Sequence, residues 1–335
     1  MSNSIFLIAE IAQAHDGSLG IAHSYIDALA STGIDAVKFQ THIAQAESSI
    51  HEPFRVKFSY EDNSRFDYWK RMEFTPKQWQ GLKEHCEQVG LEFISSPFSI
   101  AAVELLENLG VKRYKIGSGE VTNLLLLEKV ASTGKPVILS SGMSSMAELT
   151  TAYNLLRSFG NSITIMQCTT AYPTKPNQWG LNLIQDLRDQ FQVPIGFSDH
   201  SGDIYASLSA ATLGASAIEF HAVFDKRMFG PDASASLTIN QIELLVIGIR
   251  EIEQALACPI LKDDHAADSD VKIMFGKSLA VNKSLQKGHQ ITIDDLESKK
   301  PAKQGISASD FKQMLGKKIN KDLAAYSFLK YEDLE

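Results

Sequence analysis

The sequence predicts an α/β protein, a closed (β/α)8 TIM barrel followed by a smaller, loop-rich domain. Three observations carry the prediction. Short runs rich in β-branched residues alternate with helix-period segments from the N-terminus to about residue 256; there are eight such runs; and the alternation stops where a polar stretch begins at residue 263. Eight strand–helix units within about 250 residues suit a closed parallel barrel, with an open doubly wound sheet as the alternative. A chain of 335 residues is long enough for one large domain and one small one.

The strand runs fall at residues 5–9, 36–39, 91–95, 113–116, 136–139, 163–167, 194–197 and 216–220. The segments between them carry helix punctuation. Thr75-Pro76-Lys77-Gln78 supplies an N-cap hydroxyl, a proline at the first helical position and a reciprocal glutamine, and Gly90 stands where that helix should stop. Ser145 and Glu148 form a second capping box, behind which Met146, Leu149, Tyr153 and Leu156 share one helical face. Ile242, Leu245, Val246, Ile249 and Ile252 repeat that spacing in the last helix.

The connection after the second strand, about residues 41–74, is too long for an ordinary βα loop. It mixes Arg55, Lys57, Arg65, Lys70 and Arg71 with Glu47, Glu52, Glu61, Asp62, Asp67 and Glu73, and it holds the aromatics Phe54, Phe58, Tyr60, Phe66, Tyr68 and Trp69. Such a segment either closes over the barrel mouth as a lid or packs on its own aromatics or on a second subunit. Residues 1–262 are assigned to the barrel, the polar residues 263–270 to a linker, and residues 271–335 to the second domain. In that domain, apolar pieces at 278–281 and 290–293 are separated by Lys287-Gly288-His289 and Gln304-Gly305.

With 32 Lys and Arg against 40 Asp and Glu, the formal net charge is −8. That balance excludes a non-specific nucleic-acid or anionic-membrane binder, while local positive charge can still hold small anions. No run approaches the ~18 apolar residues of a membrane span, and the N-terminus has no basic n-region, so the reading is a cytoplasmic protein. Cys86, Cys168 and Cys258 are far apart and without C-x-x-C spacing, and are expected as free thiols.

In a barrel of this kind the carboxyl ends of the strands build the active site, so the polar residues that terminate each apolar run are informative. In chain order they are Glu10, then Lys38 and Gln40, Ser95 and Ser96, and Lys115, Ser118 and Glu120. After these come Ser140 and Ser141, Thr169, Thr170 and Tyr172, Ser198, Asp199 and His200, and finally Glu219 and His221. One strand-end serine or lysine is usually a cap or a solvated side chain; convergence of eight strands on one rim is what points to a site. Lys38 and Lys115, the hydroxyls of Ser96, Ser118, Ser140 and Ser198, and the backbone of Gly117-Ser118-Gly119 suit phosphate and carboxylate oxygens, and so a small doubly anionic substrate. His200 and His221 close adjacent strands, where two imidazoles can share one divalent cation and leave positions open for water or substrate; the other reading is a hydrogen-bonded core histidine. Two histidines are too few for a closed structural zinc site. Glu10 is a candidate general base, its pKa raised by burial and lowered by lysines; Glu120 is placed to orient a lysine or a substrate hydroxyl.

The chain carries, in order, Ala9-Glu10-Ile11, Ala14-His15-Asp16-Gly17, Val37-Lys38-Phe39-Gln40, Ser95-Ser96-Pro97-Phe98, Lys115-Ile116-Gly117-Ser118-Gly119-Glu120 and Ser140-Ser141-Gly142-Met143. Cys168-Thr169-Thr170-Ala171-Tyr172-Pro173-Thr174, Ser198-Asp199-His200-Ser201, Glu219-Phe220-His221 and Gly230-Pro231-Asp232 follow. Together these resemble the sialic acid synthases, which include N-acetylneuraminate, legionaminate and pseudaminate synthases. Residues 271–335 resemble that family's antifreeze-like (SAF, β-clip) domain. The resemblance implies condensation of phosphoenolpyruvate with an N-acylated mannosamine-type aldose to a nonulosonic acid and phosphate. It implies a divalent cation on His200 and His221, Mn2+ first with Mg2+ or Co2+ as alternatives. Glu10 would be the acid–base group, with Lys115 and Glu120 beside it in the catalytic set. Lys38, Gln40, Ser96, Ser118, Ser140, Ser141, Thr170, Tyr172, Ser198, Asp232 and Lys300 would contact substrates, and the protein would be a domain-swapped homodimer.

Three positions depart from the family pattern. Ala14-His15-Asp16-Gly17 stands for Asn-His-Asn-Gly, Thr170 for a frequent Asn, and Lys300-Pro301 for an Arg-Pro of the SAF domain. Lysine keeps the charge of that arginine without its bidentate fork. Two other readings stand beside the synthase: a barrel aldolase forming a Schiff base on Lys115, and a non-catalytic sugar-acid-binding barrel.

Overall fold

All eight runs form strands of one parallel sheet: β1 (Phe6–Glu10), β2 (Ala36–Thr41), β3 (Glu92–Pro97), β4 (Tyr114–Ile116), β5 (Val137–Ser140), β6 (Ile163–Cys168), β7 (Ile195–Asp199) and β8 (Ala217–Val223). In this computed structural model, β1 pairs with both β2 and β8, so first and last strands meet and the open doubly wound alternative is excluded. The hydrogen-bonded order is β3-β2-β1-β8-β7-β6-β5-β4, and β3 lies beside β4, leaving a nearly closed ring. A two-residue strand, β9 (Leu237–Thr238), extends the pairing of β8.

The structure describes residues 4–56, 58–262 and 269–335 and divides into two units, Met1–Ala257 and Cys258–Glu335. Lys57 and residues 263–268 of the expected linker lie outside the described residues. The last two linker positions instead belong to a helix: Ser269 caps Asp270–Phe275, its hydroxyl accepting the Lys272 N–H.

Side chains alternate between the two faces of a strand, and this alternation builds the barrel. On one face Leu7, Ala9, Val37, Phe39, Phe93, Tyr114, Leu139, Ile165, Phe197, Ile218 and Phe220 pack under the helices. On the other, Ile8, Ala36, Ile94, Ile138, Met166 and Ala217 fill the interior as an apolar plug. One pleat further toward the carboxyl ends, the inward positions become Glu10, Lys38, Ser96, Ser140, Cys168 and Glu219. Most strands run one to three residues past the apolar runs, because these polar side chains bond one another inside the ring and the ladder has no reason to stop. Glu10 and His221, expected just beyond strands, are in register neighbours within them. At the plug, Gly196 is opposite Met166, and a Cβ there would lie 2.7 Å from the Ala217 carbonyl oxygen as well as against the Met166 thioether.

The helix signals hold. Thr75 and Gln78 form a capping box on Pro76–Gln88, and Gly90 follows with φ +84°. Ser145 and Glu148 do the same for Met146–Ser158, which buries Leu149, Ala152, Tyr153 and Leu156. Met146, at the first helical position, is exposed rather than on the buried face. Ile239–Ala257 buries Ile242, Leu245, Val246 and Ile249. The long connection contains the helices Ala44–Glu47 and Arg65–Met72; Tyr68, Trp69 and Met72 form a small core with Ala44, against which Phe54, Phe58 and Phe66 pack.

The second unit has its own core of Leu279, Val281, Leu285, Ile291, Ile306, Met314, Ile319, Leu323 and Leu329, beside the antiparallel pair β10 (Ser278–Val281) and β11 (Leu296–Lys299). It contains an internal repeat. Asn282 donates to the carbonyls of Asp294 and Leu296, and Asn320 to those of Glu332 and Leu334. Lys283 pairs with buried Asp295 and Lys321 with buried Asp333. Leu285 and Leu323 exchange two 2.9 Å backbone hydrogen bonds, so the halves meet about a pseudo-dyad.

Two glycine substitutions separate interior packing from helix propensity. Gly196→Ala should lower the urea unfolding free energy of the barrel by about 1–3 kcal/mol, as overpacking does. Gly81→Ala, in Pro76–Gln88 with nothing within 4 Å of the added methyl, should be neutral or raise it by up to about 1 kcal/mol.

Candidate active site

The inward polar residues surround one cavity of about 430 Å³ at the carboxyl ends of the strands. Its floor is a buried ion network. Lys115 Nζ donates to both carboxylate oxygens of Glu219, at 2.6 and 2.7 Å, and Ser198 Oγ donates to Glu219 Oε1 at 3.3 Å. Lys38 pairs with Glu10, lies 3.5 Å from Glu219 Oε1, and donates to Ser96 Oγ at 3.4 Å. Glu10 Oε1 also accepts the Ala12 N–H at 3.1 Å. Burial pushes the Lys38 ammonium down to about 7, against the attraction of Glu219 and with the repulsion of Lys115. Burial alone would raise the Glu219 carboxyl; the charges of Lys115 and Lys38 outweigh it and hold that group well below the usual carboxylate range.

His200 follows β7 and His221 lies in β8, with ring centroids 5.4 Å apart. The Thr169 carbonyl can only accept, so His200 Nδ1 donates to it at 2.9 Å; this fixes the tautomer and leaves Nε2 with the lone pair, 3.2 Å from the Tyr172 hydroxyl. Burial lowers the pKa of both imidazoles to about 3, helped at His200 by His221 and at His221 by Lys38. At neutral pH both rings are uncharged, the state in which an imidazole ligates a metal. Among the described residues no third His, Cys, Asp or Glu completes a ligand set, so any cation here would keep open positions.

The rest of the rim is completed by the long connection, which does both things the sequence left open: it packs on its own aromatics, and Arg55, Val56, Phe58, Arg65, Tyr68 and Trp69 line the cavity as a lid. His42 is stacked between Trp69, at 4.0 Å, and Phe98, at 4.6 Å, and its Nδ1 is 2.5 Å from Glu47 Oε1. Its Nε2 meets Gln40 and Gln13, whose amides also bond each other. Glu120 lines the cavity with its pKa raised by burial, against a 2.7 Å hydrogen bond from Asn123. Gly142 is closed in by the side chains of Thr170, Cys168 and Ser118, each within 2.7 Å of where a Cβ would stand.

Of the residues expected at the site, Glu10, Lys38, Gln40, Ser96, Lys115, Ser118, Glu120, Ser140, Thr170, Tyr172, Ser198, His200, His221 and Asp232 all line this cavity. Ser141 does not: it sits one pleat out of phase with Ser140, and its hydroxyl donates to the Met166 carbonyl at 3.0 Å. Lys300 belongs to the second unit, exposed, with Nζ 4.8 Å from the centre of the Phe275 ring. Glu219 was recognised as a strand-end residue without a role; its position two residues before His221, and so on the same face, was the signal. Gln13, His42 and Arg55 had no comparable signal, since loops carry no periodicity.

A parallel barrel whose rim joins a floor of lysines, carboxylates and hydroxyls to paired imidazoles, on a chain that also carries a small β-unit, agrees with the sialic acid synthase class, and the comparisons with known proteins show it. The chain belongs to the NeuB family, which it matches over residues 25–260, and it matches the SAF domain over residues 276–335. It is 37% identical to N,N'-diacetyllegionaminic acid synthase of Campylobacter jejuni, over 94% of this chain and 96% of that one. It is 33% identical to human N-acetylneuraminate-9-phosphate synthase, over 94% of this chain and 88% of that one. The crystal structure of N-acetylneuraminic acid synthetase from Leptospira borgpetersenii in complex with citrate superposes with a TM-score of 0.71 and 30% identity, covering 79% of this chain and 89% of that one. The chain is thus an enzyme of the sialic acid synthase family. Among the described residues no helix is long and apolar enough to cross a membrane.

The buried imidazoles make stability pH-dependent. Their folded-state pKa of about 3 is below the unfolded value of 6.5, so the unfolded chain binds more protons between these limits and stability falls as pH drops below 6.5. Going from pH 7 to 5.5 should cost about 1 kcal/mol per imidazole, and His200→Gln or His221→Gln should remove that share, read from urea titrations at the two pH values.

Proposed function

We propose that this chain condenses phosphoenolpyruvate with an N-acylated mannosamine-type aldose, giving a nonulosonic acid and inorganic phosphate. The observation that carries the reading is that the paired imidazoles and the lysine–hydroxyl floor face one cavity. Lys38, Lys115, Ser96, Ser118, Ser140 and Ser198 would take the phosphate and carboxylate oxygens of phosphoenolpyruvate, and Gln40, Thr170, Tyr172 and Asp232 the aldose. Two uncharged imidazoles, one with its tautomer fixed by a backbone carbonyl, fit a divalent cation, with Mn2+ the first candidate and Mg2+ or Co2+ alternatives. Such a cation, when bound, supplies the Lewis acidity that polarises the aldehyde carbonyl.

In the balanced reaction, C3 of phosphoenolpyruvate bonds to the aldehyde carbon and water adds at C2; as the C–O bond to phosphate breaks, the oxygen of that water becomes the C2 ketone and its two protons end on the new hydroxyl and on the departing phosphate. Glu10 is the acid–base group: its carboxylate takes the proton of the adding water, and Lys38 beside it steadies the charge as it changes. Glu219 is a positioning residue that holds Lys115, Lys38 and Ser198 together. Glu120 orients a substrate hydroxyl. A homodimer in which Lys300 of one subunit reaches the barrel of the other is part of this proposal, as is a cytoplasmic setting. The Schiff-base alternative is disfavoured, because an imine-forming lysine needs a free amine, and Lys115 Nζ is committed to both oxygens of Glu219.

Incubation with phosphoenolpyruvate, Mn2+ and a panel of 2-acetamido and 2,4-diacetamido aldoses should release phosphate. His200→Ala and His221→Ala should each abolish turnover and calorimetric Mn2+ binding while the circular dichroism spectrum is kept. Failure of the whole panel, or full turnover of either variant in chelator, would overturn the reading; borohydride trapping of Lys115 would establish the aldolase instead.

A further inference from the structure

The lid brings one charged side chain to the cavity that neither the catalytic floor nor the imidazole pair uses. Arg55 extends its guanidinium over the Tyr172 ring, 4.3 Å from the centroid, and Nη2 donates to Asp232 Oδ1 at 2.5 Å. Tyr172 in turn packs against His200 with the rings tilted and their centroids 4.3 Å apart. Arg55 therefore sits one aromatic ring away from the imidazoles, and it locks two side chains assigned above to the aldose. The contact with the Tyr172 ring and the bond to Asp232 together hold the guanidinium at the cavity. The fork has five N–H groups, and apart from the one given to Asp232 they have no protein acceptor among the described residues. The Arg55 side chain is 39% exposed, so water satisfies these donors in the free enzyme and a substrate acceptor at the cavity edge can take its place.

Charge decides which acceptor. The lid side of the cavity presents Glu47, Glu52, Glu120 and Asp232 against Arg55 and Arg65. Arg65 Nε is already 2.9 Å from Glu52 Oε1, and Arg55 is matched by Asp232. Among the described residues no net positive charge is left on that side to balance a phosphate dianion, whereas a neutral carbonyl oxygen needs only the N–H groups.

We propose that Arg55 is the specificity-determining residue for the aldose: its fork holds the carbonyl oxygen of the N-acyl substituent, and its pairing with Asp232 makes the site reject a phosphorylated sugar. This rests on the synthase reading. The guanidinium fork that Lys300 lacks is on this view supplied from the lid of the same subunit.

The test uses the full-length enzyme with Mn2+, saturating phosphoenolpyruvate and three aldoses. These are the N-acylated sugar giving fastest phosphate release, its analogue with a hydroxyl in place of the acylamino group, and N-acetylmannosamine 6-phosphate. Arg55→Ala should raise KM for the acylated aldose about tenfold or more, with kcat and the KM for phosphoenolpyruvate changed less than about twofold. It should leave kcat/KM for the hydroxyl analogue nearly unchanged, and Arg55→Lys, with charge but no fork, should resemble Arg55→Ala. The unaltered enzyme should use the phosphorylated sugar at least about tenfold less well than the neutral one. Equal losses on the acylated sugar and its hydroxyl analogue would make Arg55 a mere brace of the lid and overturn the inference, as would full use of the phosphorylated sugar. No phosphate release by the unaltered enzyme with any aldose would instead bring down the synthase reading, and this inference with it.

Discussion

Two lysines and two glutamates buried together, Lys38, Lys115, Glu10 and Glu219, are the constraint around which the barrel is organised. Taking any one of these charges out of water alone would cost several kcal/mol. As a set they are neutral and mutually bonded, and they lie on four different strands: β1, β2, β4 and β8. A slip of one residue in any of those strands would turn its charged group into the apolar layer under the helices. The network therefore enforces the barrel's register as well as furnishing the floor of its cavity. Its geometry is also why the lysines are not a simple positive cradle: each faces a carboxylate.

The apolar plug beneath that floor does complementary work. Ile8, Ala36, Ile94, Ile138, Met166 and Ala217 leave so little space that β7 carries a glycine at that level. Packing of this density fills the lower interior of the barrel, and the cavity described above opens at the carboxyl end. The lid then sets the chemistry of the upper wall. Through His42, wedged between Trp69 and Phe98 and bonded to Glu47, it is anchored to the amides of Gln40 and Gln13 on the rim.

How legible this was depends on periodicity. Inward-facing polar residues on strands could be read directly, because Lys38 and Gln40, or Glu219 and His221, are two apart and must share a face. Capping boxes at Thr75 and Ser145 were equally plain, since each needs only local chemistry. Ser140 and Ser141 are not told apart by a list of strand-end hydroxyls: Ser140 ends β5 facing the cavity, and Ser141, the next residue, turns its hydroxyl to the Met166 carbonyl. Arg55 lay beyond reach, as its contact with Asp232 joins residues far apart in the chain through a loop with no regular geometry. The repeat in the second unit does show in the sequence, as Asn282-Lys283-x-Leu285 and Asn320-Lys321-x-Leu323, each followed at the same distance by Asp-Leu, but it is not the short periodicity that marks strands and helices.

That repeat has a consequence for how the small unit comes together. With Leu285 and Leu323 bonded to each other across the axis, each half supplies the missing edge of its twin, and neither has a complete core by itself. It is in effect two copies of one short motif joined by a tether, residues 300–318, which adds Ile306 and Met314 to the shared core and sets the effective concentration of the halves. Lengthening that tether would cost only the slow, logarithmic penalty of closing a larger loop. Severing it would turn an intramolecular association into a bimolecular one, so the order of this unit would then depend on how much of it is present.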